Sequence, residues 1–286
     1  MASKLRILES GITATTEEEV LSEEMVNDAC WVLTEGDGPV VAVALHDGHD
    51  VRQEVAELFA IAPDERRREE DPFTAHWTEV GNTRIVVRRS RFELDLNRSR
   101  EKAVYLKPED AWGLHVWQTQ PSQEIIARSL IEYDAFYATL KQVFADLERR
   151  FGRFIVYELH TYNHRRLGPL ALSADPRYNP EVNLGTGRIN RDRWAPVVEC
   201  FMSKMREFDF LDRQLDVREN VRFQGGYFSY WVSQTFPQSA CVLCIEVKKF
   251  FMDEWSNELD YQQLDAIRCA LQSTVPGVLK ALAISA

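Results

Sequence analysis

The sequence predicts an α/β sandwich, because short apolar runs alternate with amphipathic helical patterns along the chain. Three of these runs resemble buried parallel strands: Pro39 to Leu45, Phe154 to Leu159 and Cys241 to Val247. Each run ends in polar residues, so we expect functional groups to cluster where the strands end.

The remaining elements follow from apolar spacing and from residues that end helices. Apolar and aromatic residues recur at helical spacing from Ser122 to Phe151, and Gly152 is placed to end that helix. Further helices are predicted from Arg193 to Asp209 and from Asp260 to Leu271 or beyond. Thr83 to Asp95 is predicted to be extended.

Two segments are predicted to lie between regular elements. Leu167 to Asp192 contains three prolines and three glycines and is predicted to be an irregular loop, either a cover over a substrate or a rigid surface excursion. The charge-rich stretch from Pro63 to Asp71 is predicted to be a solvated connection. No linker divides the chain, so residues 1–286 are expected to form a single domain.

Composition excludes several classes of protein. The 286 residues are 45% hydrophobic, enough for a sizeable core, and 34 basic against 45 acidic residues give a net charge of −11. That balance is unfavourable for nonspecific nucleic-acid binding or for an anionic membrane surface. No apolar run approaches the ~20 residues of a membrane helix, and no secretory stretch begins the chain, so we expect a cytoplasmic protein.

The cysteines indicate a reducing compartment and no metal motif. Five cysteines is an odd number, which does not suit a disulfide framework. Cys241 and Cys244 form a CxxC, but they stand in a β-branched, apolar run without turn residues or a second pair. We therefore expect these two cysteines to be buried in a strand.

Histidines follow two of the predicted strands. The first strand runs into His46-Asp47-Gly48-His49-Asp50, and the second contains Glu158 and ends at His160. Because neighbouring strands lie ~4.8 Å apart, imidazoles at their ends can reach one ion, and nitrogen ligands favour zinc. Polar turns with no metal remain the alternative for each segment taken alone.

Two further segments carry polar groups suited to catalysis. Glu246 stands within the third apolar strand, where burial would raise its pKa towards that of a general base unless a cation pairs with it. Asp95-Leu96-Asn97-Arg98 offers an amide and a guanidinium that can recognise a carboxylate, although a helix cap with a surface arginine also fits.

Taken in order, the motifs resemble the N-formylglutamate amidohydrolase family. The resemblance spans roughly Val40 to Glu254 and rests on these short motifs: His46-Asp47-Gly48, Asp95-Leu96-Asn97-Arg98, Glu158-Leu159-His160-Thr161, Asn183-Leu184-Gly185-Thr186, Gly225-Gly226-Tyr227, and Ile245-Glu246 followed by Phe251-Met252-Asp253-Glu254. The family is similar to zinc carboxypeptidases and aspartoacylases. This similarity implies a three-layer sandwich with a mixed central sheet, of the phosphorylase/hydrolase-like kind.

The resemblance also implies a single zinc ion. His46 and His160 match the family's metal histidines. In the carboxypeptidase relatives a glutamate stands three residues after the first histidine, and here that position is His49. His49 is therefore the expected third ligand, with Asp47, Asp71 and Glu158 as open substitutes.

The remaining roles come from the same resemblance. Glu246 matches the general base, while Asn97 and Arg98 match a pair that helps to bind the substrate or to polarise its carbonyl. His164 is also expected in the substrate site. The sequence departs from the family pattern in three places: Leu45 replaces a proline, Glu158 stands where aspartate is common, and residues 162–165 differ.

These observations predict a zinc-dependent amidohydrolase acting on a small N-acyl amino acid of the N-formyl-L-glutamate type. The expected partner is this small molecule, with neither nucleic acid nor membrane, and the oligomeric state stays open. Two different functions also fit: a metallopeptidase or deacylase acting on a peptide-like substrate, and a noncatalytic protein that binds a small acid on the same fold.

Overall fold

A mixed eight-stranded sheet forms the centre of the protein in the computed structural model, which describes residues 4–6 and 29–284. The strands are β1 (Lys4–Arg6), β2 (Trp31–Glu35), β3 (Val40–Ala44), β4 (Thr83–Val87), β5 (Phe154–Tyr162), β6 (Val182–Gly185), β7 (Val217–Glu219) and β8 (Ala240–Lys248). Their order across the sheet is β1-β2-β4-β3-β5-β8-β6-β7. The ends of the expected single domain, residues 1–3, 7–28, 285 and 286, lie outside the described residues.

Four parallel strands occupy the middle of this sheet. β4, β3, β5 and β8 are consecutive neighbours and run in the same direction, whereas β2 and β6 join them antiparallel. The three strands predicted from apolar runs are therefore adjacent. Parallel neighbours bring their carboxyl ends to one edge of the sheet, where ligand sites of α/β proteins commonly lie.

Helices cover both faces, which confirms the predicted three-layer α/β sandwich. The helices are α1 (Gln53–Ala56), α2 (Pro63–Glu69), α3 (Thr74–Trp77), α4 (Gln123–Phe151), α5 (Ala195–Glu207), α6 (Tyr227–Thr235) and α7 (Tyr261–Ile284). α4 and α6 pack on the face that carries Val156 and Val242, and α5 and α7 pack on the opposite face. Since side chains of a strand alternate between faces, a central strand covered on both sides is apolar throughout.

The longest helix agrees closely with its sequence signals. The Ser122 side chain accepts a hydrogen bond from the Ile125 amide at the amino end of α4, and Gly152 ends the helix with φ 71°. Tyr133, Phe136 and neighbouring apolar residues turn one face of α4 to the sheet. The other two predicted helices also form, and α7 continues to Ile284.

Three expectations for local structure are wrong. Residues 63–71 are not a solvated connection: residues 63–69 form α2, and Glu69, Glu70 and Asp71 are buried. The predicted loop from 167 to 192 contains strand β6, which pairs with β8. In the segment from Thr83 to Asp95, the strand ends at Val87. Each difference arises from long-range packing that local composition does not express.

The described part of the chain contains no helix that is both long enough and apolar enough to cross a membrane.

Phe201 provides a test of the packing on the α5 side, because its ring is fully buried against the sheet. Phe201→Ala should lower the free energy of unfolding by about 3–5 kcal/mol, through lost burial and the cavity left behind. Ile131→Ala is the control, since Ile131 is 56% exposed on α4 and should change stability by about 0.5 kcal/mol or less. Urea unfolding of both variants measures the difference, and equal losses would contradict this packing.

Candidate metal centre and active site

The parallel strands bring two buried histidines together. β3 ends at Ala44, and His46 lies two residues after that end. His160 lies in the adjacent strand β5. Their ring centroids are 4.9 Å apart, and each residue is 2% exposed. The structure therefore unites the two histidines that sequence analysis placed at strand ends.

Asp71 completes this group. Its Oδ2 atom lies 3.2 Å from His46 Nδ1 and 2.9 Å from His160 Nδ1. The backbone holds Asp71 in place, because its amide donates to the His46 carbonyl at 2.8 Å, and the Thr161 hydroxyl donates to Asp71 Oδ1 at 3.1 Å. The carboxylate thus lies between the two imidazoles.

A second carboxylate contacts the far side of each ring. His46 Nε2 is 2.7 Å from Asp95 Oδ1, and His160 Nε2 is 2.9 Å from Glu158 Oε1. A carboxylate at Nε2 keeps a proton on that nitrogen, so Nδ1 is the nitrogen that changes state: it carries a proton when it donates to Asp71, and it offers a lone pair when a metal ion takes the place of that proton. Both Nδ1 atoms face Asp71.

This arrangement creates a strong demand for positive charge. Burial opposes ionisation of Asp71, but hydrogen bonds from His160 and His46 outweigh it and hold the pKa of Asp71 well below its usual range. Burial likewise opposes protonation of His160, yet hydrogen bonds to Asp71 and Glu158 raise its pKa well above the usual value. A shared cation, either a proton or a metal ion, satisfies these groups.

The donor set suits a metal ion. Ligand atoms of His46, Asp71 and His160 all lie within 4.8 Å of one another. Two histidines and one carboxylate, with a position left for water, form a typical catalytic zinc set. Glu158, His160 and Cys244 meet the same distance criterion. However, burial raises the pKa of the Cys244 thiol, which opposes the thiolate that a metal requires.

Glu246 lies beside this group without a hydrogen-bonding partner among the described residues. It is the register partner of His160 across the β5–β8 pair, and its side chain lines the same cavity as His46 and Asp71. Burial is the main cause that raises the pKa of Glu246 to about 8, with the Asp71 and Glu158 charges adding to the effect. A carboxyl group with this pKa can exchange protons near neutral pH.

The cavity is small and is bordered by cationic side chains. Its volume is about 280 Å³, and its lining includes Arg91, Arg98, Arg166 and Lys249 besides the acidic and histidine side chains. Arg91 is already paired, since its Nη2 donates to Asp95 Oδ2 at 2.9 Å. Arg98 is less constrained: its Nε is 3.6 Å from Asp95 Oδ2, and its side chain is 39% exposed.

Asn97 lines the cavity but is largely engaged by the protein. Its Nδ2 donates to Glu158 Oε1 at 3.1 Å, and its Oδ1 accepts from the Phe228 amide at 2.9 Å. The neighbouring carbonyls of Leu96 and Arg98 accept hydrogen bonds from Tyr137 and Tyr133 of α4. Asn97 therefore connects the cavity to α4, α6 and β5.

His49 lies apart from the three grouped residues. Its Nδ1 is 2.6 Å from Glu70 Oε2, and its side chain is 35% exposed. Residues 47–50 continue away from β3 without helical structure, so the spacing of three residues does not return His49 to the side of His46. The structure thus brings Asp71, and not His49, between the two imidazoles.

Asp47 and His164 have contacts outside the group of His46, Asp71 and His160, whereas Glu158 contacts this group from the far side of the His160 ring. Asp47 Oδ1 accepts the Ala75 amide at 2.8 Å in the first turn of α3. Glu158 faces the Nε2 side of His160. His164, expected in the substrate site, lines a neighbouring cavity instead, and its Nε2 is 3.3 Å from the Lys249 carbonyl.

The sequence analysis assigned no place in the site to Lys249 or Ser229. Ser229, in the first turn of α6, donates a hydrogen bond to Glu158. Lys249 is fully buried after β8 and lines the cavity. A lysine directly after an apolar strand is the one signal that the sequence contained, because an unpaired buried ammonium is costly and rare.

The N-formylglutamate amidohydrolase family model matches residues 38–251 of the chain. The chain belongs to the N-formylglutamate amidohydrolase family. This membership confirms the resemblance that the ordered motifs indicated, and it makes the chain a member of a hydrolase family. Comparison with curated proteins finds no match.

Solved structures agree with the fold of this family. N-formylglutamate amidohydrolase from Ralstonia eutropha JMP134 matches with a TM-score of 0.67 and 17% identity, over 89% of this chain and 96% of that one. A gene product from Agrobacterium tumefaciens matches with a TM-score of 0.62 and 17% identity, over 87% and 93%. A metallo-carboxypeptidase from Burkholderia cenocepacia is more distant, at 12% identity over 87% and 60% and a TM-score of 0.35.

A pair of variants tests whether Asp71 or His49 would complete a metal site with His46 and His160. Asp71→Asn should reduce bound metal from about one ion per chain to less than about a tenth, since the anionic donor between the imidazoles is lost. His49→Asn should retain the metal, because His49 contacts Glu70 and not the group. Elemental analysis after dialysis against zinc measures both. Metal loss in His49→Asn alone would contradict the assignment of Asp71.

The pKa of Glu246 predicts a pH dependence of stability in metal-free protein. This pKa is about 8 in the folded protein, against an ordinary value of 4.5, so the folded state keeps a proton that the unfolded state loses. Stability should therefore fall as pH rises from about 4.5 to 8, by at most about 1.4 kcal/mol per pH unit from this group. Glu246→Gln removes this component.

Denaturant unfolding of wild type and Glu246→Gln at pH 5, 6.5 and 8 measures the effect. The variant should gain stability relative to wild type as pH rises. A constant difference across this range would indicate that Glu246 titrates normally.

Proposed function

We propose that this protein is a zinc-dependent amidohydrolase that cleaves a small N-acyl amino acid of the N-formyl-L-glutamate type into an amino acid and a carboxylic acid. The observation that carries the proposal is the group of His46, Asp71 and His160, with the Glu246 carboxyl beside it in the same cavity. Family membership supports amide hydrolysis as the reaction.

In this proposal His46, Asp71 and His160 hold the metal, while Asp95 and Glu158 orient the two imidazoles. When bound, zinc supplies a Lewis acid that polarises a carbonyl and lowers the pKa of water to about 7. The carboxylates behind the histidines keep a proton on each Nε2, so that each Nδ1 offers its lone pair to the ion. Burial of all five side chains keeps this geometry rigid.

Glu246 acts as the general base and then as the general acid. Its carboxylate takes a proton from the water that attacks the acyl carbonyl, and it returns that proton to the departing amine. Its pKa of about 8 in the metal-free protein supports a carboxyl group that can do both. A bound divalent cation would lower this pKa and favour the base form at neutral pH.

Arg98 provides positive charge for the substrate. Its guanidinium lines the cavity and is only loosely paired with Asp95, so it is available to the substrate carboxylate and to negative charge that develops on the carbonyl oxygen. Asn97 supports this role mainly by holding Glu158 and the start of α6 in position.

The size of the cavity favours a small substrate over a peptide. A volume of about 280 Å³ lies at the lower end of small-molecule sites, and an N-acyl amino acid needs no extended cleft. A peptide-like substrate is the second candidate, and a noncatalytic acid-binding protein the third. The Glu246 carboxyl accepts no hydrogen bond from the described residues, so it is available to take a proton from water. This availability favours catalysis over binding alone.

Glu246→Gln tests the proposed reaction. Removing the base should lower kcat for N-formyl-L-glutamate hydrolysis by about 10²–10⁴-fold, while the metal content stays near one ion per chain. Formate release measures turnover, and elemental analysis measures the metal. The control is Glu258→Gln, an acidic residue outside this cavity, which should keep wild-type kcat. Full activity in Glu246→Gln would reject Glu246 as the base.

A further inference from the structure

Lys249 is a buried cation that bonds only to neutral groups among the described residues. It is 1% exposed and lines the active-site cavity. Its Nζ donates to the carbonyls of Arg68 at 2.6 Å and Glu70 at 2.7 Å, and no carboxylate of the described residues forms an ion pair with it. An ammonium group has three N–H donors, so one donor remains for a ligand.

The energetics of Lys249 indicate an anion. Burial is the main cause that lowers the pKa of Lys249 to about 8, so the charged form is costly at this position. The carboxylates of Asp71, Glu69 and Glu254 oppose this effect, but none of them forms an ion pair with Nζ among the described residues. A buried charge is normally paired directly. A bound carboxylate would offset this cost, whereas two neutral carbonyls do so only in part.

Arg166 lies near Lys249 and also lines the cavity. Its Nη1 is 3.3 Å from Glu69 Oε2, and its side chain is 47% exposed. Glu69 has a further partner, because Arg68 Nε donates to Glu69 Oε1 at 3.3 Å. Arg68 and Arg166 therefore share the Glu69 carboxylate, and the Lys249 ammonium interacts electrostatically with both Glu69 and Arg166.

This cationic pair belongs to a different part of the fold from Arg98. Arg166 and Lys249 follow β5 and β8 and adjoin the segment that ends in Asp71, whereas Arg98 follows β4 and adjoins Asp95. A substrate with two carboxylates has a separate cationic partner for each. A substrate with one carboxylate would leave the Lys249 ammonium without an anion in direct contact.

We infer that Lys249 and Arg166 form an anion subsite that binds the side-chain carboxylate of an N-acylated dicarboxylic amino acid. Arg98 remains the partner of the α-carboxylate. The inference rests on the proposed amidohydrolase function, and it makes Lys249 and Arg166 the residues that determine the preference for acidic over neutral side chains.

N-formyl-L-glutamate and N-formyl-L-glutamine are nearly equal in shape and differ in this charge, so they test the subsite directly. The wild type should prefer the glutamate compound in kcat/KM. Arg166→Gln should raise KM for the glutamate compound about tenfold, as expected for the loss of one charged hydrogen bond. It should leave kcat for the glutamate compound, and both kcat and KM for the glutamine compound, nearly unchanged. Lys249→Gln should reduce the preference further.

Arg165→Gln is the matched control. Arg165 precedes Arg166 but pairs with Asp253 and lines the neighbouring cavity. The Arg165→Gln variant should therefore keep the wild-type preference for N-formyl-L-glutamate over N-formyl-L-glutamine. Because Lys249→Gln removes two hydrogen bonds inside the protein, its unfolding midpoint is measured as well, and Arg166→Gln carries the test if that variant does not fold.

Calorimetric binding of glutarate and butyrate gives a second readout that needs no turnover. Wild-type protein should bind glutarate more tightly than butyrate. In Arg166→Gln the ratio of the butyrate Kd to the glutarate Kd should fall about tenfold. Equal binding of the two acids, or an equal loss of both substrates in Arg166→Gln, would overturn the subsite. If no N-acyl amino acid is hydrolysed but glutarate binding depends on Arg166, the proposed reaction fails and the subsite stands.

Discussion

The need for a cation among buried carboxylates is the constraint on which the rest of the site depends. Asp71 lies between His46 and His160, and each imidazole has another buried carboxylate on its far side. Without positive charge at the centre these acids would repel one another in a medium of low dielectric. The parallel strands bring His46 and His160 to one edge of the sheet. The segment after α2 returns to this edge, where the Asp71 amide donates a hydrogen bond to the His46 carbonyl.

Support for the site extends well beyond the grouped residues. Asp95 receives hydrogen bonds from Arg91 and Tyr105, and Glu158 receives them from Ser229 and Asn97. Such partners fix the rings that would hold a metal, because an imidazole oriented from behind loses little entropy on binding. The long helix α4 and the short helix α6 therefore contribute to chemistry through packing and hydrogen bonds, although neither supplies a member of the metal group.

The charged side chains that line the cavity differ in balance from those of the whole chain. The chain has a net charge of −11, yet four cationic side chains of the described residues line its small cavity. Arg91 and Arg166 already contact acids, whereas the buried Lys249 donates to carbonyl groups. A small anion would find complementary charge at this edge of the sheet, and net charge alone would have missed it.

Local patterns in the sequence were enough to predict the α/β class, the three central strands, the ends of α4 and the approach of His46 to His160. These features depend on apolar periodicity, on capping residues and on the rule that parallel strands end together. The position of Asp71 was not predictable in this way, because a charged stretch is typical of solvated segments until α2 packs against the strand ends. Only the tertiary structure shows that Asp71, and not His49, lies between the two imidazoles, since a contact across 25 residues depends on how the chain returns, which spacing does not specify.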